Sequence, residues 1–183
     1  MRVLVSAFEP FGGRKVNASW ELARRLPERV GRHRVRVARL PVVYGASWPA
    51  LERAVADFRP EAVLALGEAP GREVRLERVA VNLRCGGADN AGRVADGEPL
   101  DAAGRAAHLT TLPVGRLLAA LRRARVPARE SLSAGAYLCN ETFYFLMVRD
   151  AAVPFRGGAG FVHVPRDAHR RMPAALSVLL KAL

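Results

Sequence analysis

Ala62-Val63-Leu64-Ala65-Leu66, closed by Gly67, is a continuous apolar run. A run this short, apolar at every position, suits a strand buried on both faces, as in parallel sheets covered by helices. Gly160-Phe161-Val162-His163-Val164, cut by Pro165, reads the same way. Arg2 to Ala7 also reads as a strand, ended by Pro10 and Gly12-Gly13. Arg34 to Val43 and Val74 to Leu83 alternate charged and apolar residues, the pattern of half-buried strands. Helical stretches separate these runs. Ser19 to Leu26 is capped at Asn17 or Ser19 and stops before Pro27. Trp48 to Phe58, Val114 to Ala124, Glu141 to Val148 and Met172 to Leu183 carry the other helical spacings. Glu130 to Leu138 is short and broken by glycine. Arg84 to Arg105 is rich in glycine and reads as a long irregular segment, the kind that forms lids or binding loops. No repeat, linker or low-complexity tract interrupts the pattern. Strand–helix alternation therefore predicts one α/β domain over residues 1–183, layered around a mixed, mainly parallel sheet.

The chain has 183 residues, which suits one compact domain able to fold without metal or disulfide. Its two cysteines, Cys85 and Cys139, exclude a disulfide scaffold and a multi-cysteine zinc ribbon. No apolar run reaches the roughly 18 residues of a membrane span. The apolar core at the start is too short for a signal peptide, so a cytoplasmic setting is expected. Lys and Arg number 29 against 17 Asp and Glu, a net charge of +12. Such a balance raises the question of a nucleic acid or other polyanion. The arginines are scattered, however, with no charged arm and no aromatic-interleaved platform. A solvated basic surface is the plain reading, and a polyanion site is its rival.

Active sites of α/β sheets lie at the carboxyl ends of strands. His163 stands there, two residues before Pro165. The bland alternative is a core histidine bonded to a carbonyl. Cys139 follows a small-residue turn, Ser133 to Ala136, and leads into the helix from Glu141. A helix N-terminus stabilises a thiolate and offers N–H groups to an oxyanion. The alternative is an inert buried thiol. A nucleophilic thiolate needs a base, and the base needs an orienting partner. His33 and His169 sit among arginines and His108 lies in a loop, which leaves His163 as the best-placed base. Glu77 shares the face of Val79 and Val81 in the alternating run, where a carboxylate is costly unless paired. Its alternative is an edge pairing with Arg75 or Arg78. The spacing thus suggests a Cys139, His163 and Glu77 grouping. There is no dinucleotide fingerprint, P-loop, nucleophile elbow or metal-ligand spacing, so no metal and no cofactor are expected.

Five blocks, in order along nearly the whole chain, resemble the pyroglutamyl peptidase I (pyrrolidone-carboxylate peptidase) family of cysteine peptidases. They are Phe8-Glu9-Pro10-Phe11-Gly12-Gly13 with Asn17 and Ser19, Gly67-Glu68-Ala69-Pro70-Gly71-Arg72, Glu77 to Asn82, Ser133 to Asn140, and Gly160 to Pro165. The resemblance implies removal of N-terminal pyroglutamate from peptides, with Glu77, Cys139 and His163 catalytic. It implies a single-domain α/β/α sandwich, a homo-oligomer (tetramer or dimer) and no cofactor. It also implies that Phe8, Phe11, Asn17, Glu68 and Tyr137 form the substrate pocket. Pyroglutamate is a neutral lactam, so such a pocket needs flat apolar walls and a few hydrogen bonds rather than a salt bridge.

Three departures accompany the resemblance. Glu68 stands where glutamine is common, and Tyr137 where phenylalanine is. The loop Arg84 to Asn90 is one residue shorter than the family's and lacks its arginine at the usual place, unless Arg84 substitutes from a shifted position. The rival functions are a non-catalytic basic binding protein for a polyanion or nucleic acid on the same scaffold, and a cysteine hydrolase of another lactam or amide.

Overall fold

The computed structural model describes residues 1–183. In chain order the elements are β1 (Arg2–Phe8), α1 (Ala18–Ala23), β2 (Arg29–Val30), β3 (His33–Leu40), α2 (Ser47–Phe58) and β4 (Ala62–Ala69). Then come β5 (Val74–Glu77), β6 (Val79–Val81), β7 (Arg84–Gly86), β8 (Ala95–Glu98) and β9 (Ala107–Leu109). The last are α3 (Val114–Arg123), β10 (Ala128–Ser131), α4 (Leu138–Ala152), β11 (Ala159–Pro165), α5 (Ala168–Arg171) and α6 (Ala175–Lys181).

Seven strands form the central sheet in the order β10-β5-β11-β4-β1-β3-β2. The middle strands β11, β4, β1 and β3 are parallel. β5 runs antiparallel to β11, and β10 runs parallel to β5. The sheet is thus mixed and mainly parallel, as the alternation predicts.

Helices cover both faces, which makes the three layers of an α/β/α sandwich. On one face Val3, Leu64, Leu66, Val162 and Val164 pack with Leu22 of α1, Leu117 and Leu121 of α3, and Leu176 and Leu180 of α6. On the other face Leu4, Val63, Ala65 and Phe161 pack with Leu51 and Phe58 of α2 and Phe143 and Leu146 of α4. Each fully buried leucine or phenylalanine contributes about 1.5–3 kcal/mol from burial. The run Ala62 to Leu66 is buried at every residue because it feeds both cores. No helix is long and apolar enough to cross a membrane.

The structure departs from the sequence reading in several places. Val74 to Leu83 is two strands broken at Arg78. β5 stays in the main sheet, while β6 turns away to pair with β9. The predicted common face of Glu77, Val79 and Val81 is therefore lost: Glu77 and Ala80 are buried, and both valines are half-buried. The helix read from Met172 to Leu183 starts only at Ala175, as α6, since Pro173 removes an N–H donor and disfavours helical backbone at Met172, and the short α5 before it is not among the predicted helices. Within Arg84 to Arg105, β7 and β8 form a polar hairpin that carries too few apolar residues to show a two-residue period. α4 begins at Leu138 and runs to Ala152, longer than predicted at both ends.

The chain leaves β1 through α1 on one face and enters β4 from α2 on the other. The carboxyl ends of β1 and β4 therefore flank a crevice at the switch in connection direction, the usual ligand position in such sheets. Phe8 and Glu68 lie at its two sides.

Candidate active site

Cys139 is the second residue of α4, after Tyr137 at the cap position and Leu138. No side chain caps this end. The Asn140 and Glu141 N–H groups donate to the Tyr137 carbonyl. Those of Leu138 and Cys139 lie in the first turn, where the helix supplies no acceptor. They are free donors beside the sulfur. Two contacts fix the start of α4. The buried Asn140 amide accepts from the Val81 N–H at 2.9 Å and donates to the Val81 and Leu83 carbonyls at 2.8 and 2.9 Å. The Glu141 carboxylate accepts from the Gly45 N–H and from Arg84, each at 2.7 Å.

His163 lies on β11, opposite Gly67 of β4 on one side and Arg75 of β5 on the other. Glu77 lies opposite Phe161 and so is the diagonal neighbour of His163 on the same sheet face. Its Oε1 is 2.8 Å from His163 Nδ1, with both side chains buried. Glu77 Oε2 has no hydrogen-bond partner, so the buried carboxylate depends on the imidazole for its stabilisation. Nδ1 is engaged by Glu77, which leaves Nε2 for the thiol. Burial opposes a charge on His163. The charge and hydrogen bonding of Cys139 and of Glu77 outweigh it and push the pKa up to about 9. That balance favours the charged imidazole.

Gly67 holds these groups together. A Cβ there would stand 2.9 Å from Cys139 Sγ, 2.9 Å from Phe161 Cζ and 3.0 Å from His163 Cδ2. In the apolar run Gly67 reads as the end of a strand. The structure places it inside β4, where its missing side chain gives thiol and imidazole their space. A glycine inside a strand often marks such a close approach.

Beside Cys139 is a narrow slot lined by Phe8, Phe11, Asn17, Val42, Glu68, Tyr137, Leu138 and Cys139. It unites all five residues expected in the pocket and adds Val42 and Leu138, which the sequence reading does not single out. Phe8 packs on Phe161, while Phe11 and Tyr44 pack on Tyr137. Asn17 caps α1 by accepting from the Ser19 N–H at 3.0 Å and donates to the Glu9 carbonyl at 3.0 Å. Glu68 brings its carboxylate into the wall, where it accepts from the Ala18 N–H at 2.7 Å and pairs with Arg14. Its charge is thereby offset. The Tyr137 hydroxyl donates to the Ala88 carbonyl at 3.1 Å.

Family comparison decides the class. The family model for pyroglutamyl peptidase, Peptidase C15, matches residues 1–172. The chain belongs to the pyroglutamyl peptidase family. A pyrrolidone-carboxylate peptidase of Gloeobacter violaceus is 46% identical over 169 residues, covering 90% of this chain and 82% of the relative. One from Chromobacterium violaceum is 42% identical, covering 97% and 85%. Among solved structures, a mutant pyrrolidone carboxyl peptidase of the hyperthermophile Pyrococcus furiosus superposes with a TM-score of 0.91 at 31% identity, covering 100% of this chain and 97% of that one. Pyroglutamyl peptidase I of Bacillus amyloliquefaciens gives 0.90 at 31%, covering 97% and 94%.

Within this pyroglutamyl peptidase fold, Arg84 is committed elsewhere. It pairs with Glu141 and Glu98 and lines neither cavity beside Cys139. Cys85 is exposed on β7. His33, although it sits among arginines in the sequence, is buried with both ring nitrogens unpartnered. Its arginine neighbours point outward from alternate strand positions and hide this from the sequence. No cluster of three or more His, Cys, Asp or Glu side chains has metal-holding geometry.

Proposed function

We propose that this chain removes N-terminal pyroglutamate from peptides through a thioester on Cys139. One observation carries the reading. A thiol at a helix N-terminus meets a buried imidazole whose far nitrogen is held by Glu77 at 2.8 Å, all beside an aromatic slot. Relatives named pyrrolidone-carboxylate peptidase support the substrate class.

His163 Nε2 takes the Cys139 proton, and Glu77 holds the resulting imidazolium in place. The thiolate attacks the pyroglutamyl carbonyl carbon. The oxygen gains the electron pair and is met by the first-turn N–H groups of α4. The C–N bond then breaks, and the leaving nitrogen takes the proton from His163. Water adds to the thioester with His163 as base, the C–S bond breaks, and free pyroglutamate leaves. Phe8, Phe11 and Tyr137 supply the flat walls for the ring. Backbone groups around Glu68 serve the lactam N–H and C=O. A prolyl peptide lacks the lactam carbonyl and leaves those groups unpaired, so it is rejected.

The test is release of a fluorogenic amine from a pyroglutamyl conjugate in reducing buffer, with Cys139→Ala and a prolyl conjugate as controls. Turnover of the pyroglutamyl compound by the unsubstituted chain alone is the expected result. No turnover from folded, reduced protein overturns the assignment. The free thiol suits a reducing cytoplasmic compartment. A homo-oligomer, tetramer or dimer, belongs to the same reading, and light scattering showing only monomers would remove it.

A further inference from the structure

One cation on the outer wall of the site has no part in the mechanism above. We infer that Arg75 makes the leaving-peptide side selective for a carboxylate placed just beyond the scissile bond. The inference rests on the peptidase reading and concerns the portion of substrate that departs.

Two adjoining cavities meet at Cys139. The inner one is the lactam slot. The outer one shares Phe11, Glu68, Tyr137 and Cys139 with it and is also lined by His163 and Arg75. His163 does not line the inner slot. The leaving nitrogen takes its proton from His163, so the departing chain runs through the outer cavity. Arg75 stands directly opposite His163 in the antiparallel pairing of β5 with β11. Side chains so paired start about 5 Å apart on one face, which lays the Arg75 stem beside the imidazole. The guanidinium is held at the rim, donating to the Pro70 carbonyl and lying 3.0 Å from where a Gly71 side chain would begin.

No carboxylate neutralises this guanidinium. Each nearby acid has another partner: Glu68 has Arg14, Glu73 has Arg129, Glu77 has His163, and Glu130 has Arg78. The facing wall, Ser133 to Gly135, is small and uncharged. A guanidinium with most of its five donors unused matches a carboxylate in a two-point contact. That carboxylate has two sources. One is an aspartate or glutamate side chain directly after the lactam, and the other is the free C-terminus of a pyroglutamyl dipeptide.

The experiment compares kcat/KM at low salt for four substrates. They are pyroglutamyl-Glu and pyroglutamyl-Lys in matched amidated peptides, pyroglutamyl-alanine amide, and pyroglutamyl-alanine with a free carboxylate. The unsubstituted chain should prefer Glu over Lys by roughly tenfold, with the preference shrinking in high salt. Arg75→Gln should flatten that ratio, and Arg75→Lys should keep most of it. A preference for free over amidated alanine identifies the dipeptide terminus as a source as well. A Glu to Lys ratio near one, or one that Arg75→Gln leaves in place, overturns the inference. The alanine amide separates the two levels. If it is cleaved while the charge series is flat, only the role of Arg75 falls. If it is not cleaved, the peptidase reading fails and the inference falls with it.

Discussion

Replacing Gly67 by alanine puts one methyl group at the point where three side chains meet. That carbon would stand 2.9 Å from Cys139 Sγ and from Phe161 Cζ, and 3.0 Å from His163 Cδ2. Comfortable separations are about 3.5–4.0 Å, so each neighbour must give by roughly 0.5–1 Å. Phe161 cannot give readily, since its ring is fully buried between Phe8 and Phe143. The displacement therefore falls on Cys139 and His163, or on β4 itself. Overpacking of this kind costs about 1–3 kcal/mol of stability. A misplacement of about 1 Å between reacting groups costs on the order of a hundredfold in rate. The assay is kcat on the fluorogenic pyroglutamyl conjugate, with thermal unfolding and the rate of Cys139 alkylation measured on the same samples. The expected Gly67→Ala protein is folded, melts somewhat lower and turns over about a hundredfold slower. A folded variant with kcat within about threefold of the unsubstituted chain would refute the reasoning, because thiol and imidazole would then have room that these distances deny them.

The pKa of His163 is raised in the fold to about 9 from an ordinary value of about 6.5. Its contribution to stability is therefore fully present below about pH 6.5 and is lost as pH rises through about 9, which a series of chemical unfolding curves from pH 6 to 10 should show. Activity should decline on the alkaline side near the same value. Glu77→Gln removes the carboxylate that helps hold the imidazolium; kcat should fall by at least about a hundredfold and the alkaline limb of the pH–rate profile should move to lower pH. Asn140→Ala strips three hydrogen bonds from a buried site and should cost about 3 kcal/mol in urea unfolding, with part of the activity lost as the start of α4 loosens. Glu68→Ala leaves the Ala18 N–H and Arg14 without their partner; KM should rise more than kcat falls, with about 1–3 kcal/mol of stability lost.

The parts of the fold legible in the sequence are those whose signal is local. Ala62 to Leu66 is buried on both faces because it feeds two cores, and the same double burial makes it apolar at every residue. Cys139 shows its place because a small-residue turn and a helical pattern meet there. Glu77 stands out for a sound reason, a carboxylate where burial demands a partner, although the predicted face is wrong. The break at Arg78 depends on β9, some thirty positions downstream, and no local pattern announces it. Gly67 is visible as a glycine, but its function is visible only where β4, β11 and α4 converge. Val42 enters the slot through the turn after β3. Arg84 sits at a plausible position in the sequence, and only the structure shows it drawn to Glu141 and Glu98.

The position of β11 has a consequence for how the molecule is made. It is the last strand of the chain, and it lies in the interior of the sheet, between β4 and β5. While the ribosome is still short of Ala159, β1, β3 and β4 can pair with one another, and β5 can pair only with β10. Two blocks of sheet then exist with raw apolar edges facing a gap, the kind of edge that invites pairing with the wrong chain. Glu77 waits through 86 further positions for its histidine. Arrival of β11 closes the gap and brings His163 to Glu77 in one step, so a nascent or truncated chain lacks the proposed catalytic group and is at risk of aggregating.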